Sequence, residues 1–275
     1  MRGQAPLICA AAAMALAACA TADPSRGAAY RYSQERDHVG RIFHYLRSNR
    51  DGSLPEHIHV FHKAKDKVEV YKMVQKCTGA ALVTAELDFE KWSATKLVGG
   101  RLGENADQLA FATLTLDTRE PRIDAVVNLP DRTLTQSLDL EALPWRLYDF
   151  DFAEFTVFAQ HLKNYERDFS VDMAVVVADP DVEEFLTRMG EAKAIARGLD
   201  RSRGAYRYDL GGEAFAAGGT LLLDADDGHV VDVETAVPNH AEYQDFKLSL
   251  LDVNDGGEGR WRTLLLSHFE GCDEG

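Results

Sequence analysis

The sequence predicts a mainly β fold, one large antiparallel sheet with one or two helices covering it. Three observations predict it. Apolar and polar residues alternate with period two through most of the 275-residue chain, the signature of half-buried strands. Most of these segments are joined by short runs of turn residues, so sequence neighbours should pair as hairpins. Only two segments carry helical spacing.

Strands are expected over 30–35, 39–47, 56–62, 67–76, 80–87, 96–102, 108–117, 122–128, 133–140, 168–178, 192–197, 205–210, 219–223, 229–237, 245–253 and 260–269. A helix is expected over 152–164, where Phe152, Phe155, Phe158, Ala159 and Leu162 fall at i, i+3, i+4 spacing and Asp151 can serve as N-cap. A second is expected over 181–189, behind Asp179-Pro180 and with Glu183 and Glu184 in its first turn. No repeat, low-complexity stretch or linker divides residues 30–275, which read as a single domain.

One hairpin can be assigned a register. Asp51-Gly52 signals a two-residue type I′ turn. That turn sets Arg47 opposite Glu56, Tyr45 opposite Ile58, His44 opposite His59 and Phe43 opposite Val60. Because side chains alternate across a strand, Phe43, Tyr45, Ile58 and Val60 share one face, while Ile42, His44, Leu46, His57, His59 and Phe61 share the other. Both faces carry apolar residues, so both need cover, or one must border a cavity.

The N-terminus reads as an address. Arg2 precedes an apolar run of ten residues, 7–16, which has the length of a signal core and falls short of the roughly 20 needed to span a bilayer. The run ends in Leu16-Ala17-Ala18-Cys19, which resembles the lipobox of bacterial lipoprotein leaders. That resemblance implies removal of residues 1–18 and acylation of Cys19, anchoring the protein in a bacterial membrane. Ala20 in the next position implies the outer membrane, facing the periplasm. Residues 19–29, small, polar and containing Pro and Gly, read as a tether. Of four cysteines, Cys9 and Cys19 belong to this region, which leaves Cys77 and Cys272 to form a disulfide in an oxidising compartment.

Composition narrows the partners. With 45% hydrophobic and 27% charged residues the chain is an ordinary folded protein, not a disordered or multi-span one. A net charge of −15 argues against nucleic acid, whose phosphates need clustered Lys and Arg.

Chemical motifs are sparse. The hairpin register converges His44, His57 and His59 on one face, and three imidazoles with an open position can hold zinc. Residues 224–228 and 252–257 are acidic loops, but each places Gly where an EF-hand needs its fifth oxygen ligand, so both read as hairpin turns. Pro238-Asn239-His240 lies in a loop, where His240 has no visible partner. No G-x-S-x-G elbow, H-E-x-x-H, Walker loop or G-x-G-x-x-G is present, so no catalytic residue and no organic cofactor is assigned.

Residues Gly218-Gly219-Thr220-Leu221-Leu222-Leu223-Asp224, followed by Gly228-His229-Val230-Val231-Asp232-Val233-Glu234, form a strand-turn-strand. It resembles the end of the outer-membrane lipoprotein carrier and insertion proteins and related envelope proteins. The resemblance implies an open antiparallel half-barrel whose concave face, covered by helices, holds an acyl chain or a hydrophobic partner. The expected function is therefore a lipid-anchored envelope protein binding a hydrophobic ligand, or the hydrophobic segment of a partner, in the cavity of a curved sheet. Alternatives are a metal-dependent enzyme at the histidine face and a structural envelope protein that docks partners through its acidic surface. Cys19→Ser tests the anchor: the variant should move from the membrane to the soluble fraction, and continued dependence on detergent would contradict acylation.

Overall fold

The structure, a computed structural model, describes residues 26–177 and 184–272. The expected leader, Cys19 and the tether up to residue 25 lie outside them. Within them the alternating segments form a long meander. Strands β1 (Ile42–Ser48), β2 (Glu56–Ala64), β3 (Lys67–Met73), β4 (Ala80–Asp88), β5 (Ser93–Leu102), β6 (Gln108–Asp117), β7 (Arg122–Asn128) and β8 (Thr133–Asp139) each pair antiparallel with the next. The chain then crosses to the far end of the sheet, where β9 (Trp145–Leu147) lies parallel to β10 (Phe169–Val176). A second meander of β11 (Leu186–Asp200), β12 (Ala205–Gly212), β13 (Gly219–Asp224), β14 (Val230–Thr235) and β15 (Phe246–Asn254) returns to pair with β1.

The fold is thus the expected mainly β class. Fifteen strands among the described residues make one curved sheet, antiparallel at every ladder but β9–β10. Its ends approach each other: the Gln136 side-chain amide on β8 donates to the Leu186 carbonyl (2.6 Å) and accepts from the Leu186 N–H (2.8 Å) on β11. No ladder joins β8 to β9, so the sheet stays open.

The β1–β2 register is the expected one, pairing Phe43 with Val60, His44 with His59, Tyr45 with Ile58 and Arg47 with Glu56. The turn differs. It runs from Asn49, whose carbonyl accepts the Gly52 N–H at 2.9 Å, and of the expected pair only Gly52 takes positive φ (85°). Register survives because the two apolar faces, as well as the turn, select it.

Each face has found cover. Phe43, Tyr45, Ile58 and Val60 belong to the main core together with α1 (Ala153–Ala159), whose residues are all buried. On the opposite face Ile42, Phe61, Tyr71 and Leu82 pack on Trp261 and Leu265 of α2 (Gly257–Leu266). That second cover corrects one expectation, since 260–269 is a helix end and not a strand. Its buried residues Trp261, Leu265 and His268 repeat every three or four positions. Leu186–Met189, expected to end a helix, begins β11 instead; the first part of that helix lies outside the described residues. Of the expected strand 30–35, only Tyr30 bridges, to Leu162, before a 3-10 turn at Gln34–Arg36. At the described end of the tether, Gly27–Ala29 is another 3-10 turn, and Arg26 pairs with Glu191 at 2.8 Å. The Cys77–Cys272 disulfide forms, with Cα atoms 5.5 Å apart, and fastens the chain after α2 to the β3–β4 connection.

A fully buried helix predicts unequal costs of truncation. Phe158→Ala in α1, at 0% exposure, should lower stability by about 3–5 kcal/mol, whereas Phe111→Ala on β6, 41% exposed, should cost under about 0.5 kcal/mol. Denaturant unfolding of the two variants checks this; equal losses would contradict the packing.

Candidate functional site

The interior site grows out of the approach to α1. The segment Leu143-Pro144-Trp145-Arg146-Leu147 is apolar except for one arginine, and β9 carries that arginine into the core at 3% exposure. Arg146 Nη1 donates to the carbonyls of Trp92 (2.6 Å) and Trp145 (2.7 Å). Its guanidinium carbon lies 4.6 Å from the centre of the Phe158 ring and 5.6 Å from that of Phe155, a cation–π arrangement. Nε and Nη2 have no hydrogen-bond partner among the described residues. A buried donor left unpaired costs about 1–3 kcal/mol, more when charged, so such a group marks either strain or a missing partner.

Glu154, on the first turn of α1, is the nearby counter-charge. Its Oε1 accepts the Leu147 N–H at 3.0 Å, while Oε2 is unpaired. Burial pushes this carboxyl up to about 7 against the pull of Arg146, so near neutral pH it neutralises the guanidinium only in part. The Tyr30 hydroxyl, also buried, is raised by burial, with the charge of Arg146 and a side-chain hydrogen bond to it opposing.

Arg146 lines a narrow slot between α1 and the wall of β10–β13, faced by Phe155, Phe169, Met173, Ala194 and Phe215. The slot's cavity volume is about 20 Å³, room for about one water. It shares Phe169, Lys193 and Ala194 with an outer groove of about 320 Å³ that also includes Arg26 and Ile195. Where the resemblance implies a roomy concave cavity, the chain's own α1 and its aromatic residues pack into the core, and the slot and groove lie beside them.

A second polar group sits where the chain enters α1. Asp151 and Phe152 both take left-handed backbone (φ 54° and 58°), strain worth roughly 1–3 kcal/mol each. Asp151 is consequently no N-cap. Its Oδ1 accepts from Arg47 Nη1 (3.1 Å) and Asn239 Nδ2 (2.7 Å), and its Oδ2 pairs with Lys72 Nζ (2.5 Å). Burial alone would raise this carboxyl, but Arg47 and then Lys72 outweigh it and hold it well below the usual carboxylate range. Arg47 also pairs with Glu56, and its guanidinium stacks on Tyr243 at 4.6 Å. His240 faces the same cations and is lowered by burial, Lys72 and Arg47 to about 3. These charges are matched in number and enclosed, the pattern of a structural lock.

The three histidines expected as a metal face do come together, on the side covered by α2. His44 Nε2 lies 2.9 Å from His57 Nδ1, and His44 stacks on His59 with ring centres 4.0 Å apart. Their three ligand nitrogens do not all lie within 4.8 Å of one another. Burial and the neighbouring His44 and His57 lower His59 to about 3. Among the described residues, the one group whose ligand atoms lie within 4.8 Å of one another is Asp224, Asp227 and His229. Sequence reasoning placed the two acids in a turn and left out His229, which lies next to them only because that turn is tight. It also missed Arg146, although a lone charge inside an apolar run was a signal for it.

The pH behaviour of Glu154 is open to test. The native state keeps its proton up to about pH 7 and the unfolded chain releases it near 4.5, so between these values the native state binds more protons and stability falls as pH rises. Glu154→Gln removes this term. The variant should gain stability relative to the native chain between pH 4.5 and 7, by about 3 kcal/mol at pH 8. Chemical denaturation across pH checks it, and a difference independent of pH would rule it out.

Compared with known proteins, the chain matches no protein-family model and shows no significant match to a curated protein.

Proposed function

We propose that this chain is a lipid-anchored envelope protein, held by Cys19 at the outer membrane, that binds an anionic amphiphile head-first at Arg146. The observation that carries the proposal is a buried guanidinium with two unpaired donors at the end of an apolar slot. A carboxylate presents two acceptor oxygens in the geometry of an arginine fork and supplies the charge that Glu154 supplies only in part. Small-molecule sites are mostly apolar with a few convergent polar groups, and the outer groove's 320 Å³ lies at the lower end of their usual size, about 300–1,000 Å³.

The apolar chain of the ligand then runs from Arg146 between Phe155 and Met173 and out along Ala194 and Ile195. A slot with room for one water takes this chain only if side chains move. Met173 is pliant, and Phe169 at the mouth is only half-buried. Lys193 and Arg26 stand at the groove, both paired with Glu191, and Asp168 lines it beside them. Affinity comes from apolar burial, at about 25 cal/mol per Å² removed from water, and head-group choice from Arg146.

A dansyl-labelled medium-chain fatty acid titrated into the full chain should show saturable binding. Arg146→Met should weaken it at least tenfold, about 1.4 kcal/mol. Because that change also leaves the Trp92 and Trp145 carbonyls unpaired, Ala194→Phe serves as a second variant that fills the slot and leaves the polar network intact. Equal binding by the native chain and folded Ala194→Phe, or none by the native chain, rejects the proposal.

A further inference from the structure

The turn between β13 and β14 gathers more ligand chemistry than a hairpin needs. Asp224 Oδ1 accepts the N–H groups of Asp226 (2.9 Å) and Asp227 (2.8 Å), which leaves Oδ2 outside the turn's own bonds. Gly228 reverses the chain at φ 78°, in a place where a Cβ would run into the Tyr165 side chain. The reversal brings a ring nitrogen of His229 and carboxylate oxygens of Asp224 and Asp227 within 4.8 Å of one another.

Two further observations point to a ligand. His229 is 6% exposed, and its Nδ1 has no hydrogen-bond partner among the described residues. A second imidazole reaches the cluster from another part of the chain: His38 Nε2 is 3.4 Å from Asp227 Oδ1. The other oxygen of Asp227 is held by Arg41 Nη1 at 2.5 Å, and Arg41 Nε in turn binds Asp255 at 2.9 Å. Asp227 is thus oriented from behind, as ligating carboxylates commonly are, with Oδ1 left on the side of the imidazoles.

We infer that Asp224, Asp227 and His229 form a binding site for a divalent transition metal of the zinc type, with His38 completing the ligand set. Donor chemistry chooses the class. Calcium and magnesium take oxygen ligands, whereas an imidazole beside two carboxylates suits zinc and its neighbours. Side-chain rotation can gather ligand atoms now within 4.8 Å of one another around one ion, each at the roughly 2.0–2.2 Å bond length of zinc. This site is separate from the slot at Arg146, and bound metal would clamp the segment before β1 to the β13–β14 turn.

The test uses the full chain, stripped with a chelator and titrated with zinc chloride by calorimetry, with metal content read by mass spectrometry. One equivalent should bind with at least micromolar affinity, and millimolar calcium should not displace it. Asp224→Asn keeps the oxygen that caps the turn and should still weaken zinc at least tenfold; His229→Gln should do the same, with circular dichroism confirming the fold. His59→Ala, on the stacked histidine face, should leave zinc binding unchanged. Loss of zinc in His59→Ala alone, calcium binding in preference to zinc, or zinc binding untouched in folded Asp224→Asn and His229→Gln would overturn the site.

Discussion

A sheet with apolar side chains on both faces cannot leave either face in water, and the rest of this structure follows from that constraint. β1 and β2 show it in miniature. Phe43, Tyr45, Ile58 and Val60 point one way and Ile42 and Phe61 the other, and all of them are buried. Two helices resolve the problem from opposite sides. α2 caps the smaller patch, and its trailing chain is fastened by the Cys77–Cys272 bond. α1 is swallowed whole by the larger one, and the sheet curls until Gln136 on β8 reaches Leu186 on β11.

Swallowing a helix has an electrostatic consequence. The backbone that leads into α1 must cross from the sheet's edge to its centre, and it takes polar groups with it. At the entry, Asp151 is satisfied by Arg47, Lys72 and Asn239, and the left-handed pair Asp151 and Phe152 is held in place by those bonds and by burial. Farther in, Arg146 and Glu154 are less well matched. Burial favours the neutral acid, and the cation keeps two donors without acceptors. The entry network also keeps orphan atoms, Arg47 Nε, Asn239 Oδ1 and His240 Nε2 among them; what sets Arg146 apart is that its nearby counter-charge, Glu154, is an acid that burial pushes toward its neutral form.

Much of the fold was legible because strands have a short, strict period. The limits of β6 and β7 agree residue for residue with the alternation, and the β1–β2 register held even though its turn took another shape. Misreadings fell where local signals compete. Residues 260–269 alternate well enough to resemble a strand, yet Trp261, Leu265 and His268 keep helical spacing, and the uncovered patch on β1–β4 rewarded the helix. Pro180 and two glutamates suggested a helix where the chain, from Leu186 on, had a strand partner waiting in β10. β9, three residues long, is too short for any period to reveal. The histidine face was found as neighbours but not as ligands, because register gives position along a strand and says nothing about ring orientation.

By itself, then, the sequence determined which side chains share a face, which strands follow one another, and which two cysteines were left to pair. Those properties depend on covalent order and on the two-residue repeat, and both are local. Only the tertiary structure decided which face would be the inside, that α1 would fill it, and that Arg146 would arrive there short of partners while Asp224, Asp227 and His229 gathered at a turn. These outcomes depend on how segments distant in the chain divide one limited volume, and no stretch of residues carries that information alone.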